Sequence, residues 1–165
     1  MTSALRWLGQ GLVIALLIAA MGIFVDTPAY TSFPADQAMI RLSFSHGGAR
    51  DCRERTPEEL AALPPNMRSP MVCSRERLPL WLEVDLDGSP LVRTELPPGG
   101  LRGDGPSRIY EGFAVPPGRY TIEARLRDSA REIGFDWQRT AEVDLEPRQN
   151  LVIEFRSDAG GFVIQ

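Results

Sequence analysis

Leu80-Trp-Leu-Glu-Val-Asp-Leu86 and Tyr120-Thr-Ile-Glu-Ala-Arg-Leu-Arg127 are the stretches on which the fold turns. In both, apolar side chains recur at every second residue, with mostly polar or charged residues between them. That is the period of a strand with one face on a core and the other toward water. Working outward, Ile40, Leu42 and Phe44 alternate with Arg41, Ser43 and Ser45. Ala141 to Leu145 and Leu151 to Phe155 follow the same rule, while Leu91 to Leu96 runs back beside 80–86 and Arg108 to Val115 forms a further strand. Turn residues separate these runs: Gly88-Ser-Pro90, the Gly/Pro-rich loop Pro97 to Pro106, Pro116-Pro-Gly118, and Glu146-Pro-Arg-Gln-Asn150. Short strands punctuated in this way, with almost no helix, predict an all-β antiparallel sandwich of about seven strands.

Ahead of the strands lies an apolar run of another kind. Trp7 to Val25 holds no charge. As a helix it reaches about 28 Å, close to the ~30 Å hydrocarbon thickness of a bilayer. A cleaved secretory signal is the competing reading, but the run outlasts the usual apolar core of a signal, and bulky residues stand where small ones are wanted before a cut. Thr27-Pro28-Ala29 would put a proline beside the cut bond. A retained transmembrane anchor over residues 1–25 is therefore expected, followed by a Pro-punctuated linker over 26–37 and a sandwich domain over 38–165. Tyr30 and Phe33 in the linker suit the headgroup level. Arg6 precedes the span, whereas Asp26 and Asp36 follow it, which places the N-terminus in the cytoplasm and the domain outside. All 18 basic residues are Arg and Asn occurs only at 66 and 150, the usage of a GC-rich bacterial gene. Outside then means the periplasm, with the inner-membrane bilayer as the chain's first partner.

About 130 residues beyond the anchor suffice for one domain with a core of its own. The formal net charge is −4, and acidic and basic residues alternate along the strands rather than forming a basic stripe, which excludes a nucleic-acid footprint. Arg102-Gly103-Asp104 in its Gly/Pro loop is read as a turn and nothing more. Gly99 to Gly105 follows no strand-to-helix junction, so it is not a phosphate cradle.

Phe113-Ala-Val-Pro-Pro-Gly-Arg-Tyr-Thr-Ile-Glu-Ala-Arg-Leu126 resembles the hairpin of immunoglobulin-like and transthyretin-like sandwich modules of extracytoplasmic proteins. An aromatic, a Pro-x-Gly turn, a Tyr and an alternating strand carry the likeness. It implies an immunoglobulin-like sandwich whose role is to bind a partner or space other domains rather than to catalyse.

Residues 47–78 fall outside that resemblance and form an insertion. Thr56-Pro-Glu-Glu59 is a capping box with Pro at the first helical position, and Pro64-Pro65 stops the helix after about two turns. Cys52 and Cys73 flank it. In an oxidising compartment they pair, pinning the insertion to the sheet, and closing a loop of about 20 residues contributes roughly 3 kcal/mol in the chain-entropy model. The alternative is a soft-metal site for Cu(I), in which His46, Cys52, Met67, Met71 and Cys73 converge. Anchor plus sandwich is similar to the plan of copper-delivery proteins for respiratory oxidases.

His46 is the only histidine, and no nucleophile is positioned beside it, so no enzyme constellation is found. Trp81, on the polar side of its strand, and Phe162, in the apolar tail Gly160 to Gln165, are candidate partner-binding residues. For Trp81 the other reading is cover by the insertion, and for the tail it is a last strand of the sheet. Phe135 and Trp137 read as core. The expectation for function is a non-catalytic accessory or assembly protein, without cofactor, acting on an integral-membrane complex. The alternatives are copper binding and, least favoured, an enzyme of unknown type.

Overall fold

The structure is a computed structural model that describes residues 2–26 and 34–165. Tyr30, Phe33, the Thr27-Pro28-Ala29 stretch and most of the expected linker lie outside the described residues. The chain divides into two compact units, Met1–Pro34 and Ala35–Gln165.

The first unit is the helix α1 (Thr2–Asp26). Its segment Ser3–Ile23 is long and apolar enough to cross a membrane, and none of it is buried against protein.

The second unit is built of strands. In chain order they are β1 (Ala38–His46), β2 (Arg50–Glu54), β3 (Met71–Arg77), β4 (Leu80–Leu86), β5 (Ser89–Leu96), β6 (Ser107–Val115), β7 (Gly118–Arg127), β8 (Trp137–Leu145), β9 (Asn150–Arg156) and β10 (Gly161–Ile164). A short helix α2 (Pro57–Ala61) and a 3-10 turn (Pro65–Met67) lie between β2 and β3. One four-stranded sheet has the order β10-β9-β1-β6, a second has the order β5-β4-β7-β8, and β2 with β3 forms a separate ribbon.

Two expectations need correction. Ten strands in three sheets replace about seven, and the pairing is not wholly antiparallel, because β1 runs parallel to β9 from Met39 opposite Asn150 to Leu42 opposite Ile153. The Phe113–Leu126 stretch is also not a hairpin. β6 pairs with β1, whereas β7 pairs with β4 and β8, so Pro116-Pro117 carries the chain from one sheet to the other. Tyr120 Oη donates to the carbonyl of Pro116 at 2.9 Å and fastens this corner.

Alternation in the strands explains the core. Ile40 and Leu42 of β1, Leu80, Leu82 and Val84 of β4, Ile122, Ala124 and Leu126 of β7, and Ile153 of β9 are almost wholly buried in one cluster shared by both sheets. Phe44, Phe155 and Phe162 close it with tilted and edge-on ring contacts 5.2–6.4 Å apart. Phe162 is therefore a core residue and not a partner contact, since β10 adds to β9 as the last strand of its sheet.

The register sorts the connections into two groups. At one end lie the start of β1, the turn from β4 to β5, the Pro116-Pro117 corner and the β8–β9 turn. All are tight. Asp87 and Gly88 link β4 to β5 with φ of 50° and 75°, a two-residue turn matched to strand twist. At the other end β1 leads into the ribbon, residues 97–106 join β5 to β6, and residues 128–136 join β7 to β8. Nearly all the irregular chain of this unit is gathered there.

Candidate functional site

The elaborated end is stitched from backbone outward. Ala49 N donates to the carbonyl of Asp128 at 2.7 Å, and Leu78 N to that of Ala49 at 2.8 Å. Arg77 is the common tie. Its N–H donates to Gly103 O at 2.8 Å, its Nε to Asp104 O at 3.1 Å and its Nη1 to Gly48 O at 3.0 Å. Gly48 is required for this approach, since a Cβ there would stand 2.1 Å from the carbonyl oxygen of Leu78. Ser107, fully buried, donates through Oγ to Leu96 O at 2.9 Å and closes the neck of the 97–106 loop.

His46, at the end of β1, meets a residue 82 positions away. Its Nε2 lies 2.8 Å from Asp128 Oδ2, and Trp137 Nε1 donates to the same oxygen at 3.0 Å. The imidazole stacks edge-on against Phe155 at 4.6 Å. Asp136 shapes the loop that carries Asp128. Burial pushes its carboxyl up, but the Ser129 hydroxyl, the N–H groups of Asp128 and Ser129, and Arg131 at 2.8 Å together hold it below the usual aspartate value. His46 and Trp137 thus anchor a loop through one carboxylate oxygen.

The ribbon departs from expectation in a useful way. Residues 47–78 were expected as a helix with cysteine-bearing flanks, yet those flanks are strands. Cys52 and Cys73 stand opposite each other in the ladder and are joined by a disulfide with Cα atoms 4.0 Å apart. The bond therefore ties the insertion to itself, not to the sheet. It also consumes both thiolates of the copper reading, while His46 Nε2 is engaged by Asp128 and Met67 is largely exposed. The soft-donor set His46, Cys52, Met67, Met71 and Cys73 is thereby broken up. Among the described residues no group of three or more His, Cys, Asp or Glu side chains is placed to hold a metal.

The tip follows its sequence closely. Thr56 Oγ1 accepts from Glu59 N at 3.3 Å, and Thr56 N donates to Glu59 Oε2 at 2.9 Å, completing the capping box. Arg53 of β2 reaches Glu59 through both guanidinium ends at 2.7 and 2.9 Å. That contact, and then the Thr56 N–H, hold the Glu59 carboxyl down to about 2.

Trp81 is half-buried rather than free. Its Nε1 donates to Glu83 at 2.9 Å, and the Arg127 guanidinium lies 6.0 Å from its ring centre. It lines a shallow depression with Leu78, Pro79, Glu95, Ser129 and Arg131, so its neighbours come from the end of the insertion and from the 128–136 loop. Farther along the same sheet face Asp85 is buried, paired with Arg125 and, at 3.3 Å, with Arg93. Arg125 also reaches Glu83 at 3.0 Å and lies over the ring of Phe135. This face spends its charges on itself.

What remains open is apolar and located. In the described part of unit Ala35–Gln165, the exposed large hydrophobic side chains are Met67, Met71, Leu101, Ile133 and Tyr110. The first four sit on the ribbon, the 97–106 loop and the 128–136 loop, all at the elaborated end. Leu101 carries a signal in the sequence, a lone apolar residue among Gly, Pro and charge, whereas Ile133 is masked by the nearby Phe135 and Trp137. The chain matches no protein-family model, no curated protein and no solved structure.

Proposed function

We propose that this protein is a non-catalytic accessory or assembly subunit, held in a bacterial inner membrane by α1. Its two-sheet domain then lies in the periplasm and binds a membrane complex through its elaborated end. The observation that carries this reading is the gathering of Met67, Met71, Leu101 and Ile133 on three neighbouring connections, while the opposite end is reduced to tight turns. Exposed apolar side chains confined to one end of a domain offer contacts to a partner, and Met is enriched at interfaces. Arg6 ahead of the span and Asp26 with Asp36 after it support an N-in orientation, and the disulfide suits an oxidising compartment. Tethering confines the domain to partners near the bilayer and raises its effective concentration there.

Of the two sandwich families that Phe113–Leu126 resembles, the transthyretin-like one fits better. Setting the ribbon aside, the first and second strands of the body lie in different sheets, and the first pairs in parallel with the penultimate one. Immunoglobulin-like domains keep their first two strands in one sheet.

Photo-cross-linkers placed at 71, 101 and 133 in the host cell test the binding reading. One shared adduct from these three sites, with none from 87, 146 or 148 at the opposite end, is the expected outcome. Adducts arising from the tight-turn end alone would overturn it. Alkaline carbonate extraction and protease accessibility of spheroplasts test the membrane and periplasmic parts separately.

A further inference from the structure

We propose that the Cys52–Cys73 disulfide is a thiol–disulfide exchange site, and that a dithiol reductant opening it melts the ribbon while leaving the two sheets folded. No residue of the ribbon is fully buried: every residue of β2 is exposed, Leu60, Leu63 and Val72 are only half-buried, and both cysteines are exposed. Its ladder is short and irregular, with a register shift between Arg50 and Cys52. A two-stranded hairpin without a buried face is marginal in water. The clamp made by Arg77, Gly48 and Gly103 holds only the base, so above it the covalent bond is the main restraint on the unfolded alternatives. The core of the body is independent of this bond, because it contains no residue between 50 and 77.

Exposure also admits the reagent. Exposed disulfides are the labile and regulatory ones, in contrast with those shielded in a core. A thiolate of the dithiol attacks one cysteine sulfur, the S–S bond breaks, and the other cysteine leaves as thiolate. The second thiol of the reagent then displaces the first cysteine and closes its own disulfide. Two electrons pass from the dithiol to the protein, and its two protons end on Cys52 and Cys73. In the proposal such a dithiol, carried by an oxidoreductase or supplied as a small molecule, sets whether Met67 and Met71 are presented in fixed positions.

Hydrogen exchange read by mass spectrometry on the full chain in detergent micelles tests this, with dithiothreitol and without denaturant. Thiol alkylation reports reduction. On reduction, amides of residues 50–77 should exchange at least about tenfold faster, and those of β1, β4, β7 and β9 should change by less than about twofold. The Cys52→Ser/Cys73→Ser double variant should reproduce the reduced pattern without reagent. The proposal is overturned if the bond resists dithiothreitol until denaturant is added, or if the reduced ribbon keeps its protection. It is equally overturned if the sheets of the reduced wild-type chain lose protection together with the ribbon.

Discussion

The two-sheet body and the ribbon are made of the same strand geometry and are held by different physics. Body strands carry an apolar residue at every second position and bury it, so stability is spread over a shared core. Ribbon strands such as Arg50-Asp-Cys-Arg-Glu54 present charge on both faces and bury nothing. They persist through a covalent tie, a capping box and an ion pair. The body can therefore lose one polar contact and stay folded, whereas the ribbon has only a handful to lose.

The contrast can be broken from the body's side first. Leu82→Ala or Ile153→Ala, each at a fully buried position, should cost about 2–5 kcal/mol in global unfolding by denaturant titration, with the disulfide intact. Arg125→Ala leaves the buried Asp85 carboxylate with the more distant Arg93 only, and should cost about 1–3 kcal/mol in the same assay. Asp85→Asn in that background should recover part of the loss.

Smaller effects belong to the ribbon. Thr56→Ala removes the cap of α2 and should lower its local stability by about 1 kcal/mol, seen as faster amide exchange of residues 59–62 with an unchanged global midpoint. Glu59 makes the same region pH-sensitive. Its carboxyl is held at about 2 in the folded chain against an ordinary 4.5, first through Arg53. A depressed folded value means that the stabilisation is complete above the ordinary value and is lost as pH falls through the folded one. The α2 amides should accordingly lose protection, relative to the body, as pH drops from 5 toward 2, and Glu59→Gln should flatten that dependence. Least of all, Leu101→Ser should leave melting unchanged, since its side chain is fully exposed, while abolishing the cross-linked adduct expected from residues 71 and 133.

What could be seen in the sequence divides along the same line. β1, β4 and β7 to β9 announce themselves by alternation because burial of one face writes that pattern, β5 and β6 are marked by the turns around them, and the α2 capping box is a local motif that folds as spelled. β2 and β3 left no such trace, since strands without a buried face have no reason to alternate. The parallel pairing of β1 with β9 and the contact of His46 with Asp128 join residues far apart in the chain, and local periodicity carries no information about such partners. Phe162 was ambiguous for another reason. An apolar tail after Gly160-Gly161 looks alike whether it closes a core or greets a partner, and only its place beside Phe155 and Phe44 decides.

The central position of β1 has a consequence for biosynthesis. Among the ten strands β1 is made earliest, and it is flanked by β6 and β9, so its sheet stays incomplete until β9 and β10 have left the ribosome. Such long-range closure slows folding and leaves Ile40, Leu42 and Phe44 uncovered until then. A nascent chain halted before β9 would be an open half-shell, a natural client for holding chaperones and for quality-control proteases.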